Sequence, residues 1–283
     1  MVIKSEKNIS LPGLHGRPIP TDVFYTEDGK NKPVVLFCHG YKGFKDWGAW
    51  NLMAEEFTKN GCLFIKFNFA FNGGTLEEPI DFPDLEAFGE NTYTKELDDL
   101  KVLLDWISSE DFPYANQVDL SRLTLMGHSR GGGVVVIKAA EDERVQKLIT
   151  LAAVSDFGDR FPKGEELEAW RQKGIAYIEN ARTKQKMPHL FDFYEDFRTN
   201  EERLTISKSA EKLKIPALII HGTADPTVSV DNAHHLHEWI SDSEIFLLQD
   251  SNHVFEVSHP WEKNELTPAM EKIIAKATGF IKK

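Results

Sequence analysis

Basic residues are in short supply in this 283-residue chain: 33 Lys and Arg stand against 45 Asp and Glu, a formal charge of −12. A field of that sign repels polyanions. With no local basic patch to offset it, nucleic acid and an anionic membrane surface are not expected partners. Long hydrophobic runs are missing as well. The run at 134–137 stops at Lys138, far short of the roughly 18 residues of a membrane helix. Residues 1–8 hold no apolar stretch able to act as a secretion signal. Cysteine is scarce: Cys38 and Cys62, each inside an apolar stretch, read as two buried thiols in a reducing cytoplasm rather than as a disulfide. No repeat and no low-complexity tract is visible. What remains is an ordinary globular composition, 41% apolar and 28% charged, in a chain long enough to bury a core without covalent staples.

Short apolar runs alternate with helical patterns from about residue 33 onward. The runs at 33–38, 62–67, 123–126, 148–152, 217–220 and 245–248 have strand length and no polar face. Strands of that kind are covered by helices on both sides, as in a parallel sheet. Tyr93, Leu97, Leu100, Leu104 and Ile107 recur at helical spacing, with Asp98, Asp99, Lys101 and Asp105 assigned to the opposite, polar face. Trp50, Met53 and Phe57 precede a helix stop at Asn60-Gly61, and further helices are expected over 131–140, 230–240 and 268–280. Ile9, Leu11 and Val23-Phe24-Tyr25, set among turn residues, suggest an antiparallel pair at the sheet edge. The predicted fold class is therefore α/β, one mostly parallel open sheet with helices on both faces, and residues 1–283 form one domain.

One segment breaks the rhythm. Residues 156–210 carry 21 charged residues in 55 yet also eight aromatics, among them Phe157, Phe161, Trp170 and Phe193. Such a mixture fits a folded insertion between two strands better than a disordered linker.

The sharpest local signal is Gly127-His128-Ser129-Arg130-Gly131, directly after the strand at 123–126 and opening a helix. A strand–turn–helix junction this tight admits only small neighbours and holds the Ser129 hydroxyl out at the strand's carboxyl end. By itself the motif is weak, because a glycine-rich turn merely joining strand to helix would read the same way. A serine nucleophile also needs a base and an acid that orients the base. Asp225 lies in His221-Gly222-Thr223-Ala224-Asp225, just past the strand at 217–220, and His253 lies just past the strand at 245–248. His39-Gly40-Tyr41-Lys42-Gly43 follows the first core strand. Four features beyond strand ends thus converge on one sheet edge.

With these residues in view, the chain resembles the α/β-hydrolase superfamily from about residue 20 onward. Within it, the likeness is to serine esterases of the dienelactone-hydrolase-like, cinnamoyl (feruloyl) esterase-like and prolyl-oligopeptidase-like group. Ser129 stands where true dienelactone hydrolases carry Cys, and there is no room for a gating β-propeller. The resemblance implies hydrolysis without metal or organic cofactor, a small-molecule ester as substrate, and a cap made by residues 156–210. The other use of that segment would be surface decoration or a homodimer contact. It also implies a triad of Ser129, His253 and Asp225, with the oxyanion held by the backbone N–H groups of Arg130 and Tyr41. His39, Phe44, Trp47 and His128 are expected around the substrate pocket. A peptidase or thioesterase would use the same residues, and a non-catalytic binding protein is the alternative from another class. Asp156 and His259 are the rivals for acid and base. His234, His235 and His237 lack metal-ligand spacing and read as an exposed helix face.

Overall fold

In the computed structural model, which describes residues 2–283 and leaves Met1 outside the described residues, each of the six apolar runs forms a strand. The chain begins with β1 (Lys4–Pro12) and β2 (Pro18–Tyr25), followed by β3 (Lys32–Cys38), α1 (Trp50–Lys59), β4 (Leu63–Phe67), α2 (Leu85–Gly89) and α3 (Tyr93–Ile107). Next come β5 (Val118–His128), α4 (Arg130–Glu141) and β6 (Lys147–Leu151). The insertion supplies α5 (Gly164–Lys173), β7 (Ile175–Glu179), β8 (Lys186–Leu190), α6 (Asp192–Thr199), α7 (Glu201–Leu204) and α8 (Ile206–Lys212). The chain ends with β9 (Ala217–Gly222), α9 (Asp231–Trp239), β10 (Ser243–Leu248) and α10 (Pro268–Lys282).

Eight strands form one sheet in the order β1-β2-β4-β3-β5-β6-β9-β10. β1 and β2 pair antiparallel at one edge, as expected from the apolar residues set among turns there, and β2 runs antiparallel to β4. From β4 to β10 every pairing is parallel. All these carboxyl ends therefore open on the same side, which is the edge where ligands bind in open α/β sheets. Both sheet faces are covered. α3, α4, α9 and aromatics of the insertion pack on one, α1 and α10 on the other. Thr92 caps α3 by accepting from the Lys95 N–H, and Asn60, the expected helix stop, closes α1.

Two findings depart from the sequence pattern. Asp99, expected on the polar face of α3, is buried, and its carboxyl group accepts the Ala70 N–H at 2.7 Å. It serves a backbone donor of the loop after β4, a partner that helical periodicity cannot announce. The insertion also contains an antiparallel hairpin, β7 with β8, beside its helices.

Candidate active site

Ser129 sits between β5 and α4 with φ 55° and ψ −118°, a conformation that costs a non-glycine residue about 1–3 kcal/mol. The surrounding backbone holds it there. Its N–H donates to the Leu151 carbonyl at 2.9 Å, and its own carbonyl accepts from Gly132 at 3.0 Å and Val154 at 3.2 Å. The neighbouring glycines are needed for close approach. A Cβ on Gly131 would lie 2.4 Å from the His39 carbonyl oxygen, and one on Gly127 2.3 Å from that of Gly131.

The other two strand ends meet this turn. His253 Nε2 lies 3.1 Å from Ser129 Oγ, and His253 Nδ1 lies 2.7 Å from Asp225 Oδ2. Because a carboxylate only accepts, Nδ1 carries the proton, and Nε2 is left as the acceptor for the serine hydroxyl. The Asp225 side chain is fully buried, which would raise its pKa. Hydrogen bonds from His221, His253 and the Val228 N–H reverse that and hold the carboxyl well below the usual carboxylate range. Its other oxygen accepts the N–H groups of Thr227 and Val228 at 2.8 and 2.9 Å. A hydroxyl in this chain can pass its proton to an imidazole whose other nitrogen is already fixed.

His128 and His39 brace the same cluster. His128 Nε2 donates to the His253 carbonyl at 2.9 Å, and burial together with nearby His253 lowers the His128 pKa to about 3, so the ring stays neutral. His39 donates from Nδ1 to the Gly40 carbonyl at 2.9 Å and accepts the Phe69 N–H at Nε2. Burial, opposed by the Gly40 bond, brings its pKa down to about 4. The loop after β3 that carries Tyr41 is tied further back by a buried ion network. Lys45 and Lys66 both contact Asp22, at 2.9 and 2.7 Å, and both contact Asp46. The site of a Cβ on Gly40 is only 2.9 Å from Ser129 Cβ, so this loop abuts the serine. Among the described residues the Tyr41 N–H has no acceptor. Arg130, first residue of α4, offers an N–H that its own helix cannot take.

Ser129 opens on two cavities. The first, about 310 Å³, is walled by Tyr93, Phe157, Phe161, Trp170 and Phe193, with Tyr41 and Arg130 beside the serine. The Arg130 guanidinium lies 4.3 Å from the Tyr41 ring centre and 3.4 Å from Glu96. The second, about 290 Å³, is bordered by Trp47, His128 and His253, as well as Lys42 and Arg182. Of the residues expected around a substrate pocket, Trp47 and His128 border this second cavity. His39 and Phe44 line neither cavity. The His39 ring is used by backbone groups, and Phe44 packs into a separate cluster with Phe82, Phe88 and Met187.

The rivals are not drawn to the serine. Asp156 is exposed and caps a turn by accepting from Gly158. His259 accepts the Gly48 N–H at the rim of the second cavity. His234, His235 and His237 lie exposed on α9. Two residues escaped the sequence reading. His221, four positions before Asp225, shares its Nε2 proton between the Val228 carbonyl at 2.9 Å and Asp225 at 3.3 Å; its place at a strand end beside the acid was an available signal. His189 on β8 bonds the Tyr41 hydroxyl at 2.7 Å across 148 positions, and nothing local marks it.

A sequence model of the alpha/beta hydrolase fold matches residues 86–257, a stretch holding Ser129, Asp225 and His253. The uncharacterized 31.7 kDa protein of the traX-finO intergenic region of Escherichia coli is 26% identical over 164 residues, 58% of this chain and 52% of that protein. The chain thus spans about half the length of this curated relative. Among solved structures, a putative hydrolase from Agrobacterium vitis S4 superposes with a TM-score of 0.72 at 19% identity, covering 99% of this chain and 100% of the other. Est1E from Butyrivibrio proteoclasticus, solved with ferulic acid bound, gives 0.71 at 15% identity over 96% and 97%. At such identities the superpositions speak for the shared fold.

Proposed function

From a chain that belongs to the alpha/beta hydrolase fold family, we infer a serine hydrolase that cleaves carboxylic esters of small or aromatic acids through an acyl-enzyme. The observation that carries this reading is the hydrogen-bonded series from Ser129 Oγ through His253 to Asp225, placed where two cavities meet. Ser129 Oγ attacks the acyl carbon as its proton passes to His253 Nε2. The C–O bond to the leaving alcohol breaks, and His253 returns the proton to that oxygen. Water then repeats the exchange, deprotonated by His253, and releases the acid while Ser129 recovers its proton. Asp225 stays ionised and holds the imidazole in the required tautomer. The developing oxyanion is held by the N–H groups of Arg130 and Tyr41, each worth about 3 kcal/mol in the barrier.

In this reading residues 156–210 act as a cap, and the aromatic cavity they wall receives the acyl group. A panel of nitrophenyl esters graded by acyl length and aromaticity, with thioester and aminoacyl analogues, tests it. Highest kcat/KM on oxygen esters with small or aryl acyl groups is expected. Preference for the thioester or aminoacyl arm would overturn the ester assignment.

A further inference from the structure

The two cavities differ in their access to the candidate base. His253 borders only the second one. A leaving group must accept its proton from that imidazole, so it must depart on that side. The surface there is unusual for this chain. Acids outnumber bases by 45 to 33 overall, yet no Asp or Glu lines the second cavity, whereas Lys42 and Arg182 do. Arg182 is neutralised by Asp81. Lys42 makes no ion pair among the described residues, and partial burial lowers its pKa. Its ammonium rests 5.2 Å from the Tyr41 ring centre. Its backbone holds φ 54°, a left-handed conformation that side chains other than glycine rarely adopt. A cation without an ion-pair partner thus lines the cavity that Ser129 and His253 also border, on the loop that bears Tyr41.

We propose that the second cavity receives the leaving group, and that the preferred leaving alcohol carries an anionic oxygen group, a carboxylate or a phosphate, paired with Lys42. This rests on the serine-hydrolase reading and extends it to the other half of the substrate. The net charge of the protein repels anions at a distance, but within a Debye length the unpaired ammonium governs.

Three benzoate esters with one acyl group test the assignment: carboxymethyl, 2-phosphoethyl and the neutral carbamoylmethyl ester. The ratio of kcat/KM for a charged ester to that for the neutral one is compared between wild type and Lys42→Met, which cancels intrinsic leaving-group reactivity. A fall of about tenfold in that ratio is expected, with most of it restored in Lys42→Arg. Whichever charged ester loses more identifies carboxylate or phosphate as the bound group. In wild type, raising the salt concentration should lower the same ratio, a reading that needs no variant. An unchanged ratio in Lys42→Met and under salt overturns the proposal. So does failure to cleave any of the three by protein whose Ser129 reacts with a fluorophosphonate. Folded wild type that takes no fluorophosphonate overturns the serine-hydrolase reading itself, and the two failures are thereby told apart.

Discussion

The sheet edge and the insertion build one cleft by different means. Ser129 follows β5 directly, Asp225 lies three residues beyond β9, and His253 five beyond β10. Parallel strands in register bring such loops together whatever lies between them in sequence. The insertion has no such frame. Its wall is assembled from individual contacts: Trp170 Nε1 donates to the His189 carbonyl at 2.9 Å, His189 meets Tyr41, and Phe193 packs 4.7 Å from Tyr93. In the proposed reading, reactivity comes from the scaffold and the fit of the acyl group from the insertion. The two should fail separately.

Damage to the sheet edge should be the more severe. Ser129→Ala is expected to lower kcat on the order of 10⁶-fold, and Asp225→Asn about 10⁴-fold by releasing the His253 tautomer, both measured on one nitrophenyl ester. A loss below tenfold for either would break the comparison at its stronger side. Damage to the insertion should change which ester is used. Phe193→Ala enlarges the aromatic cavity, so the ratio of kcat/KM for a bulky aryl ester to that for acetate should rise about tenfold. Equal losses on both esters would mean that the insertion supports the site without reading the acyl group.

The smallest effect concerns Asp99, buried on α3. Burial raises its pKa to about 8, although the Ala70 N–H opposes the shift. The folded protein therefore binds a proton that the unfolded chain gives up near pH 4. The contribution of Asp99 to stability falls as pH rises from about 4 to about 8, because at this group the native state holds more proton across that window. Asp99→Asn removes this dependence. Its melting temperature relative to wild type should climb over the same interval, followed by thermal unfolding at stepped pH; a constant difference would show that Asp99 does not titrate there.

The same contrast explains what was legible in the sequence. Strand runs, the elbow glycines and the order Ser129, Asp225, His253 depend on local sterics and on one topological rule, so they could be read from residue types alone. The edge pair β1 and β2 was legible for the same reason. Asp99 was misplaced because its partner is a backbone N–H 29 positions away. Phe44, expected around the pocket, instead turns its ring into the cluster around Phe82. The hairpin of β7 and β8 left little trace, having five residues per strand and Tyr177 and Ile178 exposed. His189 and Lys42 acquire meaning only once the cavities exist.

The most direct measurement is intact-protein mass spectrometry after exposure to a fluorophosphonate probe, with peptide mapping of the adduct. The account predicts one stoichiometric adduct on Ser129, absent from folded Ser129→Ala. Folded wild type that stays unmodified, or a Ser129→Ala protein labelled as fully as wild type, would contradict it.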